Sequence, residues 1–227
     1  MKSIHSIVVN ITVLQRIIPL MVFLFILIHS APGISGTPAS STAMMDHGKH
    51  IMPTQAITEK KQISEYVAIH FPNVTLVNEE GQTIAVFDEL INNKVVVINT
   101  IFTTCTTVCP LMGFQFSRLQ KSLRDTFSAE DIAENIVLIS ISIDPGVDTP
   151  QRLASWKKKF DGGTGWTLLT GHQSEVDKLL KAAGIFTADP EGHTPITLVG
   201  SAKKNQWIRV SGIGSSKKLV QLVSQFL

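Results

Sequence analysis

Cys105 and Cys109 are the only cysteines among 227 residues, and they stand four apart in the segment Phe102-Thr103-Thr104-Cys105-Thr106-Thr107-Val108-Cys109-Pro110. An i, i+4 spacing puts two side chains on one helical face, near enough to grip a single ion or to close a disulfide. The apolar repeat that follows them places both sulfurs at or near the first turn of a helix. Unpaired N–H groups and the helix dipole lower a thiol pKa there. Thiolate is the form that binds metal and the form that attacks disulfides, so a local disulfide, a redox pair and a metal site are all open to this spacing.

Two thiolates are too few for a closed structural zinc site, whereas Cu(I) accepts few, soft ligands, with imidazole as a fitting third. Of the seven histidines, His5 and His29 lie in the leader and His47 and His50 in a tether, leaving His70, His172 and His193. His193 ends the loop Ala188-Asp189-Pro190-Glu191-Gly192 and precedes an apolar strand. That position lets it approach the sheet end bearing Cys105, although spacing alone favours a surface loop histidine.

The elements around the cysteines alternate between strand and helix. Residues 74–77 and 83–86 flank the turn Asn78-Glu79-Glu80-Gly81 and read as a hairpin. The unbroken apolar runs at 94–102 (KVVVINTIF) and 136–143 (IVLISISI) read as strands buried on both faces, with a helix over 111–127 between them. Two further helices carry caps: Thr149 followed by Pro150, and Ser174 with Asp177 three residues on. Strands at 196–199 and 207–210 turn at Lys203-Lys204-Asn205 and lead to a helix over 216–226. The expected fold is α/β, a central mixed or parallel sheet flanked by helices, with the ligand site outside the carboxyl ends of its strands. Cys105 falls there. Trp156, Trp166 and Trp207 are expected in the core or half-buried, and Lys157-Lys158-Lys159 as a solvated helix end.

Before this domain come two segments of other character. Residues 17–28 (IIPLMVFLFILI) carry no charge and follow Lys2 and Arg16, which is the pattern of a secretory leader. Residues 1–35 therefore read as a signal peptide or signal anchor that delivers the domain across a membrane. No cysteine precedes Cys105, which argues against a lipid-bearing amino-terminal cysteine. Residues 36–70 read as a flexible linker with room for a short helix, and within it Met44, Met45, His47, His50 and Met52 form a tract rich in soft ligands. Residues 71–227 form the domain. All 18 acidic residues lie at or after Asp46, and Lys2 and Arg16 alone among the 20 basic residues precede it, so the exported part is formally neutral. A neutral domain without a basic stripe lacks the field that nucleic-acid binding needs.

The segments TxxCTTVCP, SISIDPGVDTP at 140–150 and GHT at 192–194, in this order, resemble the signature set of the Sco/SenC family of thioredoxin-fold copper proteins. The resemblance covers roughly residues 71–227. It implies a thioredoxin-like fold and copper, Cu(I) and in some states Cu(II), held by Cys105, Cys109 and His193. It also implies a role as a copper chaperone in assembling the copper site of cytochrome c oxidase. The partners would be the copper-site subunit and a thiol reductant or copper donor, in the periplasm or on the outer face of the cytoplasmic membrane. The alternative within the same resemblance is a thiol-disulfide oxidoreductase that reduces cysteines of an exported copper protein, with Cys105 attacking and Cys109 resolving. Where the family often carries an acidic residue before its histidine, this chain has Gly192, with Glu191 one step back. Asp144 reads as a turn residue rather than a partner of the site.

Overall fold

The computed structural model describes residues 66–192 and 194–227. The leader, the Met/His tract and His193 lie outside the described residues. The strands are β1 (Tyr66–Val67), β2 (Thr75–Asn78), β3 (Thr83–Ala85), β4 (Val95–Ile101), β5 (Ile136–Ser142), β6 (Trp166–Thr170), β7 (Ile196–Ser201) and β8 (Gln206–Ser211). The helices are α1 (Cys109–Thr126), α2 (Ala129–Asn135), α3 (Pro150–Lys158), α4 (Gln173–Ala183) and α5 (Ser216–Phe226), with a π-helical turn at Val86–Ile91. Among them no helix is long and apolar enough to cross a membrane.

The two unbroken apolar runs become β4 and β5, buried at every residue and paired in parallel, Val95 beside Ile136 through Ile101 beside Ser142. Burial on both faces requires cover on both, and the helices provide it. The strand order among the described residues, β1-β8-β7-β4-β5-β6-β2-β3, makes one mixed sheet in which only the β4–β5 and β5–β6 pairs are parallel. The sheet with its flanking helices and the β2–β3 hairpin is the expected thioredoxin-like architecture.

α1 is seated by aromatic packing. Phe116 and Trp166 stack at 5.6 Å, Trp156 and Phe160 at 4.6 Å, and Phe114 meets Phe160 edge-on at 5.0 Å. A Cβ on Gly113 would lie 2.6 Å from the Phe160 ring, so this close approach of α1 depends on glycine at that position. All three tryptophans are buried. Trp166 Nε1 donates to Ser140 Oγ at 2.9 Å beneath the helix.

Several local expectations change. Thr149 caps α3 through Arg152 N as read, but α4 begins earlier than the Ser174 cap implied. His172 is its N-cap, and its Nδ1 accepts from Ser174 N at 3.4 Å, a ring nitrogen taking the place of a hydroxyl. Asp177 instead takes Gln173 Nε2 at 2.7 Å. Within the stretch read as linker, Tyr66–Val67 already pairs with β8 as an edge strand. Lys158 and Lys159 are exposed as expected, but Lys157 is drawn in to pair with Glu79, which is 7 % exposed and also accepts from Leu168 N at 2.8 Å. That buried carboxylate ties the hairpin turn to α3 and β6.

Candidate metal and thiol centre

β4 ends at Ile101, and the chain crosses the end of the sheet in seven residues before α1 starts at Cys109, with Pro110 in its first turn. The turn is closed locally by Cys105 N, which donates to Phe102 O at 3.3 Å. No side chain caps α1, because Val108 occupies the N-cap position. Its place at the helix head is taken by sulfur: Cys109 N donates to Cys105 Sγ at 3.4 Å. The helix amino terminus thus points an N–H at the first cysteine, as an anion there would demand.

The two sulfurs differ in setting. Cys105 is half-buried, while Cys109 is fully buried, and neither is in a disulfide. Partial burial pushes the Cys105 thiol up, but hydrogen bonds from the Cys109 thiol and N–H and from Thr107, whose Oγ1 lies at 3.6 Å, outweigh it and leave the pKa lowered. Cys109 is pushed up to about 12, first by burial and then by its hydrogen bond to Cys105, with the charges of Cys105 and Asp148 adding to the shift. One sulfur is accessible with its thiol pKa lowered, and the other is a concealed thiol in contact with it.

Asp148 is the residue that sequence reasoning passed over. It sits in the Asp144–Asp148 turn after β5 and is completely buried. Its carboxylate accepts from Thr103 N at 3.1 and 3.2 Å, from Thr103 Oγ1, and from Ser142 Oγ at 2.6 Å. Arg152 Nε donates to the same Thr103 hydroxyl at 3.1 Å. Asp148 therefore clamps the residue two before Cys105 to the end of β5 and the first turn of α3. Asp144 is the turn residue expected of it, accepting from Val147 N and Asp148 N with no contact to the sulfurs among its bonds.

The structure brings Cys105 and Cys109 together and leaves His193 outside the described residues. Its neighbours Gly192 and Thr194 are exposed, and the strand it leads into, β7, pairs its Thr197 with Asn99 near the cysteine-bearing end of β4. Among the described residues no group of three His, Cys, Asp or Glu side chains is placed to hold a metal ion. The donor set in view is two soft sulfurs at a helix head, one of them with its thiol pKa lowered, which suits a soft monovalent ion.

Residues 75–198, more than half of the chain and inclusive of Cys105, Cys109, Asp148 and position 193, match the SCO1/SenC family. The chain belongs to the SCO1/SenC family. A SCO1 protein homolog of Bacillus subtilis is 32% identical over 142 residues, covering 60% of this chain and 68% of that one. Among solved structures, BsSco, a member of the Sco family of cytochrome c oxidase assembly proteins in which a disulfide switch was identified, has TM-score 0.58 and 24% identity over 73% of this chain and 97% of its own. Arabidopsis thaliana ScoI with copper bound has TM-score 0.55 and 17% identity, over 69% and 99%. At these identities the structural likenesses show the SCO1/SenC fold.

The asymmetry of the two sulfurs has a direct chemical consequence. With iodoacetamide at neutral pH, the reduced SCO1/SenC domain is expected to alkylate at Cys105 at least about a hundred times faster than at Cys109, because both thiolate fraction and access favour the first. Peptide mass mapping of quenched time points reads the order, and equal rates would contradict the described burial of Cys109.

Proposed function

We propose that this chain is a copper-binding chaperone that holds copper through Cys105, Cys109 and His193 and assists assembly of the copper site of cytochrome c oxidase. The observation that carries the reading is the pair of touching sulfurs at the head of α1, one at the surface and one buried, in a member of the SCO1/SenC family. The copper-bound Arabidopsis relative and the oxidase assembly role stated for the Sco family support it. Copper is the cargo: two thiolates suit Cu(I), and an imidazole added to them also admits Cu(II). Residues 1–35 act as signal peptide or membrane anchor, the stretch from 36 up to β1 as a tether, and the domain from β1 onward as the working part in the periplasm or on the outer face of the cytoplasmic membrane. The copper-site subunit of the oxidase and a thiol reductant or copper donor are its partners.

The deciding experiment is an anaerobic Cu(I) competition titration of the reduced protein beside His193→Ala. The variant is expected to bind at least about tenfold more weakly, since an imidazole donor is lost while both thiolates remain. Equal affinity would remove His193 from the site.

A second reading is favoured by one observation, the division between a lowered Cys105 and a raised Cys109. That is the division a thiol-disulfide reductant uses. The Cys105 thiolate attacks one sulfur of a partner disulfide, breaks that bond and releases the other sulfur as a thiolate. Cys109 then loses its proton and attacks Cys105, which frees the second partner thiol and leaves a Cys105–Cys109 disulfide holding the two electrons' worth of oxidation. An external thiol reductant restores the pair. Fast turnover of partner disulfides unaffected by His193→Ala would favour this reading over copper carriage.

A further inference from the structure

Two residues beyond Cys109, α1 opens a second surface. Leu111, Phe114, Gln115 and Arg118 recur at helical spacing and form one wall of a groove of about 460 Å³, whose other wall is the loop from Ile213 to Ser216 that leads into α5. Its rim is apolar and exposed: Leu111 is 52%, Phe114 55% and Ile213 45% accessible. Its floor is polar. Gln115, at 4% exposure, donates from Nε2 to Gly214 O at 2.6 Å, which leaves Oε1 buried and without a partner. A buried acceptor with no donor costs free energy that a ligand N–H would recover.

The far end of the groove is positive. Ser215 caps α5 by taking Lys218 N on its hydroxyl and Leu219 N on its carbonyl, and among the described residues nothing accepts from the N–H groups of Ser216 and Lys217 at the head of the helix dipole. Arg118 also lines the groove and makes no ion pair among the described residues, and no acidic residue is among those lining it. The groove thus offers an apolar cleft, one acceptor for an N–H and a positive end for a carboxylate.

We propose that this groove docks an extended segment of the partner protein on which the cysteines act, carrying an apolar side chain followed by a carboxylate. The apolar side chain enters between Leu111, Phe114 and Ile213, its peptide N–H donates to Gln115 Oε1, and the carboxylate faces Arg118 and the head of α5. The identity of the occupant as a partner protein rests on the reading of Cys105 and Cys109 given above. Gln115 is six residues beyond Cys109, about 9 Å along the helix axis. An extended chain covers that distance in about three residues, so a docked segment brings a neighbouring cysteine of the partner to Cys105.

The test is a metal-free amide-correlation NMR titration of the full chain in mild detergent. It uses two acetylated and amidated peptides that differ only at the centre, one Leu-Glu and the other Leu-Lys. The Leu-Glu peptide is expected to shift the Gln115 side-chain amide and the backbone amides of Ser216 and Lys217, and to bind at least about fivefold more tightly than the Leu-Lys peptide. Arg118→Glu is expected to reverse that preference. Static signals at these residues, equal response to both peptides, or shifts that follow protein concentration without peptide, as for a second copy of the chain, would each overturn the proposal. A Cu(I) titration of the same samples separates the two readings. Peptide binding without copper affinity sinks the copper assignment alone, and copper affinity without peptide binding sinks the groove alone.

Discussion

Cys109→Ser, reduced and anaerobic, is expected to lose Cu(I) affinity by well over a hundredfold, since even outer-shell changes at metal sites cost roughly 10–100-fold and in the proposed site this one removes a donor outright. A serine hydroxyl is hard and stays protonated, so it offers Cu(I) neither softness nor charge. The pocket that accepts the sulfur is closed, and replacing a buried sulfur with the smaller oxygen leaves α1 in place on Phe160 and Trp166. Fold and copper binding are thereby separated: thermal melting changes little while the titration collapses. Cys105→Ser is expected to match it in copper affinity but to differ in thiol chemistry. With Cys105 present and Cys109 absent, attack of the Cys105 thiolate on a partner disulfide releases one partner thiolate and leaves a mixed disulfide that accumulates, because nothing resolves it. With Cys105 absent, no mixed disulfide forms at all, because the remaining sulfur is fully buried and that burial, the largest cause of its raised pKa, stays in place. Cu(I) affinity retained within tenfold in Cys109→Ser would remove the buried sulfur from the metal site.

Which parts of this molecule were legible in its sequence follows the range over which each part is determined. β4 and β5 declare themselves because burial on both faces leaves an unbroken apolar run, and α5 begins at Ser216 as read because Ser215 caps it within four residues of chain. β6 was missed: five residues after a glycine-rich turn, with Trp166 at their head, carry no period long enough to separate strand from loop. α2 was missed because it is short and buries none of its residues, so no apolar stripe marks it. Lys157 looked like its exposed neighbours, and what draws it inward is Glu79, 78 residues away. The same holds at the site. The cysteine pair, its place at the carboxyl end of β4 and the helix starting beside it were readable from local spacing, but Cys105 lies in the loop before α1 and not on a helical face with Cys109. Asp148 was not, because in the chain it is only the residue before a helix cap. Its role comes from Thr103, 45 residues earlier, which reaches it only once β4 and β5 lie side by side.

Asp148 is where fold and site are joined, and its substitution carries the second large effect. Asp148→Ala leaves Thr103 N, Thr103 Oγ1 and Ser142 Oγ without their acceptor, Ser142 being fully buried and Thr103 partly so, and unmade buried bonds cost about 1–3 kcal/mol each. The expected loss is about 3 kcal/mol or more, large for a single substitution and readable as a shift in the denaturant midpoint without change of slope. Asp148→Asn keeps one acceptor oxygen and the shape, so it should cost less while still removing the charge. That charge is one of the forces holding the Cys109 proton on, after burial and the Cys105 hydrogen bond. Its removal must lower the Cys109 pKa, which an alkaline titration of thiolate absorbance reads. The sign for stability follows. In the native chain the folded state keeps the Cys109 proton from its ordinary 9.0 up to about 12, so this contribution is present below pH 9 and is lost as pH rises through that window. With the pKa lowered, Asp148→Asn loses less there. Its deficit relative to the native chain is therefore expected to shrink between pH 9 and 12, whereas that of a variant acting only through packing would stay constant. A deficit independent of pH would detach Asp148 from the sulfur and leave it a clamp on Thr103 alone.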